Sequence, residues 1–164
     1  MEIRKADLKD ISIIRNLAQL IWPEAYGEII SKEQITYMLD LMYSEAALKA
    51  QMEKGHQFIL AVNESLPIGF AAFSKKSDEE PQTFRLHKLY VLPRQHAQGV
   101  GSSLLANLVT ESKAAGANLL ELNVNKFNIA KQFYDKKGFT ILREEILNIG
   151  EGYVMDDYVM VKEI

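Results

Sequence analysis

A mixed α/β (α+β) single domain, with a central sheet of about six to seven strands and about four flanking helices, is the fold class that three features of the sequence predict. Short apolar runs of strand length alternate with longer segments of helical period, in the order β, α, α, β, β, β, α, β, α, β, β. Apolar residues make up 48% and charged residues 25% of the 164 positions, too apolar for a disordered chain and ordinary for one buried core. No internal repeat or linker-like stretch interrupts residues 1–164, so one domain is expected across them.

The elements follow in order. Ile3 to Lys5 reads as a short strand. Asp7 then caps a helix whose apolar stripe is Leu8, Ile11, Ile14, Leu17, Ala18 and Ile21. A second helical region spans about Ser31 to Lys54. Ser31 with Gln34 resembles a capping box, Ile35, Met38, Leu39 and Met42 form a stripe, and Ser44 is placed to start a further helix through Ala47, Leu48 and Met52. Phe58 to Asn63 and Ile68 to Lys75 flank the turn Glu64 to Pro67 and predict a hairpin. After the charged loop Ser77 to Gln82, a strand from Thr83 to Leu92 ends at Pro93. Gly99 to Gly116 reads as a helix with Val100, Leu104, Leu105, Leu108 and Val109 on its apolar face. Leu119 to Val124 is a strand. Asn128 to Lys137 is a short helix with Asn128 as its N-cap and Gly138 as its stop. Phe139 to Ile149 and Tyr153 to Glu163 are two final strands joined at Gly150 to Gly152.

Composition removes several functions. The formal net charge is −3, without the basic stripe of a nucleic-acid binder, so no nucleic-acid partner is expected. Cysteine is absent, which excludes disulfides, thiolate metal sites and a Cys nucleophile. His56, His87 and His96 have no ligand-like spacing with carboxylates, so no metal is expected. No apolar run approaches the roughly 20 residues of a membrane span, and Met1 to Lys9 lacks a signal-peptide core; no membrane partner and a cytoplasmic location are the expectation.

The most informative segment is Leu89 to Leu105, LYVLPRQHAQGVGSSLL. A strand ends, a loop carries Gly99 and Gly101, and an amphipathic helix begins. Such glycines either permit a tight strand-to-helix turn or let backbone N–H groups approach an anion at the positive end of the helix. Two phosphate motifs fail: there is no Gly-Lys-Ser/Thr of a P-loop, and Leu104 stands where the dinucleotide fingerprint needs a small residue.

This strand, V-x-P-x-x, Gly-x-Gly loop and helix resemble the acyl-CoA loop of the GNAT superfamily of N-acetyltransferases. The downstream segment NKFNIAKQFYDKKGF, Asn125 to Phe139, is similar to the same family's N-x-x-A-x-x-F-Y-x-x-x-G-F pattern through Asn128, Ala130 (one residue early), Phe133, Tyr134, Gly138 and Phe139. The element order fits the GNAT-like fold over nearly the whole chain, and the N-terminal spacing resembles bacterial polyamine or RimI-like acetyltransferases. One departure stands in the loop: His96 occupies a position usually Arg or Gln, followed by Ala97, Gln98, Gly99, Val100 and Gly101.

The resemblance implies an N-acetyltransferase that uses acetyl-CoA as cosubstrate and passes its acetyl group directly to a primary amine. It implies that the cofactor meets the strand backbone at Leu89, Tyr90 and Val91, the loop and helix start at His96, Ala97, Gln98, Gly99, Val100, Gly101 and Ser102, and also Asn128 and Tyr134. Arg94 and Lys131 are candidates for its outer phosphates. Tyr134 is the implied general acid for the departing thiolate; position alone favours a core aromatic. His87 is the candidate base, because an imidazole titrates near neutrality and an amine must lose a proton before attack; the other reading is a structural histidine. The two-residue strand period puts Arg85, His87, Leu89 and Val91 on one face. His56 has a weaker claim.

For the acceptor, Trp22, Tyr26, Tyr37, Met38 and Tyr43 offer aromatic and adaptable apolar surface, while Glu24, Glu28, Glu33, Asp40 and Glu45 offer negative charge. Together they suit a small cationic, polyamine-like amine, or else form a solvated acidic face over an ordinary core. A peptide or protein amine is the alternative acceptor, and a non-catalytic acyl-CoA-binding module is the alternative of another class. The final strands are placed to pair in a homodimer.

Overall fold

The computed structural model describes residues Met1–Ile164. Its strands are β1 (Glu2–Ala6), β2 (Gln57–Asn63), β3 (Leu66–Lys75), β4 (Thr83–Val91), β5 (Leu119–Asn125), β6 (Thr140–Gly150) and β7 (Tyr153–Glu163). They form one sheet in the order β1-β2-β3-β4-β5-β7-β6. Every pairing is antiparallel except β4 with β5. Five helices accompany it: α1 (Ile11–Tyr26), α2 (Lys32–Tyr43), α3 (Glu45–Glu53), α4 (Val100–Ala114) and α5 (Ala130–Lys136).

A sheet with two apolar faces needs cover on both. On one face α1, α2 and α3 bury Ile14, Trp22, Ile35 and Leu48 against Leu60 and Phe70. On the other, α4 and α5 bury Leu104, Leu108 and Tyr134 against Phe73, Leu120 and Met160. The helical region 31–54 is two helices rather than one continuous run. Ser44 is extended (φ −61°, ψ 157°), and its side chain accepts a hydrogen bond from the Ala47 N–H, which caps α3. Ser31 likewise accepts from the Gln34 N–H at 3.1 Å. The second half of the expected capping box is not made, because the Gln34 amide reaches Val154 O on β7 at 2.9 Å instead. Tyr37 donates its hydroxyl to Ile149 O on β6. These two bonds tie α2 to the β6–β7 hairpin. Asn128 stands two residues before α5, and its side chain accepts from the Ala130 N–H at 2.9 Å.

β4 carries a bulge that the two-residue period does not foresee. Ala72 faces Lys88 and the next residue, Phe73, faces Leu86, which leaves His87 as an extra residue on β4. A bulge turns neighbouring side chains toward the same face. Leu89 and Val91 pack with the α4 layer, whereas Arg85, His87, Lys88 and Tyr90 line the opposite side. The expected shared face of Arg85, His87, Leu89 and Val91 is therefore divided at the bulge.

Beside the bulged stretch the strands are tightly opposed. A Cβ at Gly69 on β3 would lie 2.9 Å from Tyr90 O and 3.3 Å from Val91 Cγ2. Because the first of these neighbours is backbone, Gly69→Ala is expected to lower stability by about 1–3 kcal/mol, read as a fall in Tm by thermal unfolding.

Candidate active site

The site begins where the sheet opens. β4 and β5 are paired only from Thr83 with Leu119 to Leu86 with Leu122. Beyond that point Asn123, Val124 and Asn125 bond to β7 alone, and Lys88 to Val91 bond to β3 alone. The two strands diverge, and the β5-facing edge of His87–Val91 is left without a strand partner. An extended ligand can bond there as an added strand would.

The loop after β4 closes one end of this opening. Pro93–Gln95 form a single 3-10 turn, Ala97 (φ 66°) and Gly99 (φ 78°) are left-handed, and α4 starts at Val100. No backbone acceptor within the protein meets the N–H groups of Ala97, Gln98, Gly99, Val100, Gly101 and Ser102; the first bonded amide is that of Ser103, to Gly99 O. Six consecutive free donors at the positive end of a four-turn helix make a cradle for a pyrophosphate. A Cβ at Gly101 would make only ordinary contact with the Phe133 ring, at 3.6 Å. Helix packing therefore does not require glycine there, and ligand access to its N–H is the better explanation. His96 bends back so that its Nε2 bonds Val91 O at 3.0 Å. The expected phosphate contact of Lys131 has a competitor, since its ammonium lies 2.8 Å from Asp135.

Tyr134 reaches the opening from α5. It is 7% exposed and wedged edge-on between Phe133 and Phe139. Burial, and then the nearby Tyr26 phenol, raise its pKa, so it stays protonated and fit to donate. From the other face Tyr26 and Tyr90 share a hydroxyl–hydroxyl bond of 2.8 Å.

On the face of α1 and α2 a pocket of about 410 Å³ opens against β4, β5, β6 and β7. Trp22, Tyr26, Met38 and Tyr43 line it as expected. Tyr37 does not; it holds the β6–β7 turn. The acidic residues expected there, Glu24, Glu28, Glu33, Asp40 and Glu45, are all exposed on the outer sides of the helices. The pocket's carboxylates are instead Glu145 and Asp157 from the sheet.

The sequence pattern that defines the acetyltransferase (GNAT) domain matches residues 28–154. The chain belongs to the GNAT acetyltransferase family. It is similar to an uncharacterized N-acetyltransferase of Mycobacterium tuberculosis, 28% identical over 96% of this chain and 99% of that one. It is 26% identical to the spermidine N(1)-acetyltransferase of Thermoplasma acidophilum, over 86% of this chain and 89% of that protein. The crystal structure of the PaiA N-acetyltransferase from Thermoplasma acidophilum, in complex with coenzyme A, superimposes with a TM-score of 0.83 at 25% identity, over 99% of this chain and 98% of that one.

Within this GNAT domain the titratable groups near the opening fall into two sets. In the first, His87 shares a 2.7 Å hydrogen bond with Ser74 Oγ and stacks flat on His56 at 4.0 Å between centroids. Burial, then His56, Lys88 and Arg85, lower its pKa to about 3. An imidazole so depressed accepts protons poorly near neutrality, which is a physical obstacle to the expected role of base. Lys88 is tied to Gln51 Oε1 at 2.9 Å and lies over the rings of Tyr43 and Phe58; burial lowers its pKa to about 8. In the second set, Asn123 on β5 donates to both Glu145 and Asp157 and accepts from Arg85. Sequence reading missed these two carboxylates. Asp157 lies in an otherwise strand-like run, Tyr153 to Glu163, and an acidic residue at a core position was the available signal.

The depressed His87 pKa has a definite sign. The unfolded chain takes up a proton near the ordinary value of 6.5, before the folded protein does. The stability His87 supplies is therefore complete above that value and is lost as pH falls toward about 3. His87→Gln, which keeps a polar partner for Ser74, is expected to flatten the decline of Tm between about pH 6.5 and pH 4.

Proposed function

We propose that this N-acetyltransferase takes its acetyl group from acetyl-CoA and delivers it to a small cationic amine of the polyamine class. The observation that carries the acceptor is the pocket itself, whose aromatic wall of Trp22, Tyr26 and Tyr43 is joined by two carboxylates, the buried Asp157 and the half-buried Glu145. Aromatic faces and carboxylates are the two surfaces that attract an alkylammonium. Lys88 brings positive charge to the α3 side, which favours seating the ammonium toward β6 and β7. The name of the Thermoplasma acidophilum spermidine acetyltransferase points the same way. The bonds from Gln34 and Tyr37 to the β6–β7 hairpin narrow the side on which a peptide would lie, which favours a small acceptor over a protein amine.

For the donor, the free N–H groups of Ala97–Ser102 are the proposed pyrophosphate cradle. The unpaired edge at Leu89, Tyr90 and Val91 is the proposed track for the amides of the pantetheine arm, with Asn128 beside it. His96 leaves Val91 O when the arm binds. The thioester then lies in the opening near Tyr134, whose hydroxyl donates to the sulfur as the carbon–sulfur bond breaks. The exposed Ile141, Leu142 and Ile146 of the edge strand β6 are where we place the contact of the expected homodimer.

The test is release of free CoA from acetyl-CoA by the purified protein with spermidine, spermine, amino acids, aminoglycosides and peptides. Release dependent on the polyamines is expected. Release with peptides alone assigns a protein acceptor, and acetyl-CoA binding without release for any acceptor assigns a binding module. Tyr134→Phe is expected to lower kcat by on the order of 10²-fold while the Kd for acetyl-CoA, measured by calorimetry, stays within a few-fold. An unchanged rate removes Tyr134 from the acid role.

A further inference from the structure

The buried carboxylate of Asp157 is an acidic group of the pocket whose surroundings leave it unbalanced. It stands on β7 across from Asn125, the last residue of β5, and across from Glu145 on β6. It is 1% exposed and lines the pocket. Its Oδ2 accepts a 3.2 Å hydrogen bond from Asn123 Nδ2, and the same amide donates to Glu145 Oε2 at 2.8 Å. Asn123 Oδ1 accepts from Arg85 Nη2. Arginine only donates and carboxylates only accept, so the amide can point only one way. Arg85 itself is held by the buried Glu121 at 3.2 Å, so it does not pair with Asp157. A buried carboxylate with one neutral donor and no cation is poorly compensated, and an incoming ammonium compensates it.

Several groups share the pocket with this carboxylate: Tyr26 from α1, Arg85 from β4, Asn123 from β5 and Glu145 from β6; Asp156, its neighbour on β7, pairs with Lys126 instead. Burial first, and then Glu145 and Asp156, raise its pKa, against the lowering by Asn123 and Arg85. Tyr26 and Tyr90, whose hydroxyls are bonded to each other, line the same pocket as Asp157, and Tyr90 stands on the unpaired stretch of β4, which puts Asp157 on the side of the opening where the thioester is proposed to lie.

We propose that Asp157 is the catalytic base of the transfer, taking the proton of the acceptor ammonium, with Asn123 as its positioning residue. This rests on the cationic-amine reading above. The ammonium gives one proton to an Asp157 oxygen. The freed nitrogen pair forms the bond to the thioester carbon. When the adduct collapses, the carbon–sulfur bond breaks and its electron pair leaves on sulfur. The nitrogen loses its second proton to solvent, and sulfur takes one from Tyr134, which solvent restores. Asp157 returns its proton to solvent, so the sum is amide, CoA thiol and one released proton.

The test compares wild type, Asp157→Asn and His87→Gln with acetyl-CoA and spermidine across pH. Asp157→Asn is expected to lower kcat by on the order of 10²-fold or more and to abolish the acidic limb of kcat/KM, with the Kd for acetyl-CoA unchanged. Its Tm at neutral pH is expected to be no lower than that of wild type, because the fold disfavours ionisation of this carboxyl. His87→Gln is expected to keep the limb. A carboxyl ¹³C titration of Asp157 with CoA present, with and without spermidine, is expected to show a lower midpoint with the amine. Retention of kcat and of the acidic limb in Asp157→Asn overturns the proposal, as does a rise in spermidine KM alone, which makes Asp157 only a binding group. If wild type turns over no cationic amine, the acceptor reading fails; an Asp157 midpoint unmoved by spermidine then overturns the base assignment as well.

Discussion

β4 is bonded to β3 along nearly its whole length but to β5 over only four residues, Thr83–Leu86. The extra residue His87 falls directly after the last β4–β5 pair. A bulge adds twist and bends the strand that carries it, so β4 leaves β5 at the point where its own register slips. The rest of the centre depends on this. The divergence leaves the strand edge free for an extended ligand, and the bulge turns His87 and Lys88 together toward the pocket. The run of free N–H groups from Ala97 to Ser102 lies just beyond it, because the loop that carries them starts where β4 ends.

The opening is a place of low polarity with few free charges. Tyr26, Tyr90 and Tyr134 are all held protonated by burial, His87 is neutral near pH 7, and the Lys88 ammonium is weakened. In such surroundings a single charge acts over a longer range than in water. If the transfer takes place here, as proposed, the charge that develops on the carbonyl oxygen and then on sulfur meets hydrogen-bond donors and dipoles of the tyrosines and the strand edge. Pre-arranged donors of this kind stabilise a transition state without reorganising at the moment of reaction. The stacked His56–His87 pair and Ser74 fit a structural part in that arrangement: Ser74 bonds His87 at the bulge and the His56 ring covers it.

Much of this was legible in the sequence where local chemistry dictates structure. The element order followed from periodicity, the strand-to-helix turn at Gly99–Gly101 from its glycines, and the short helix after Asn128 from its cap and from Gly138. The parts that were not legible are non-local. Nothing in TFRLHKLYV announces that His87 is the extra residue, because a bulge is set by the register against β3. Counting by twos therefore carried His87 to the wrong side of Leu89. Gln34 looked like half of a capping box because its partner, Val154 O, lies 120 positions away. The acidic residues of α1 and α2 looked like an acceptor site because composition does not say which side of a helix faces a pocket.

That last point bears on how specificity is divided in this chain. The helices contribute shape: Trp22, Tyr26, Met38 and Tyr43 are apolar or amphipathic, and the acidic side chains of these helices are in water, where their attraction for a ligand is screened. The sheet contributes charge: Glu145 and Asp157 are cross-strand partners in a hydrogen-bonded ladder, fixed by Asn123, and Asp157 is buried and screened little. A carboxylate on a rigid strand can be placed against the reacting amine far more accurately than one on a helix end. On the proposed reading, changes in α1 and α2 alter the size of amine that fits, while the preference for a cationic nitrogen is set by the strands that also hold the opening, so recognition of the charge and the chemistry on it share one scaffold.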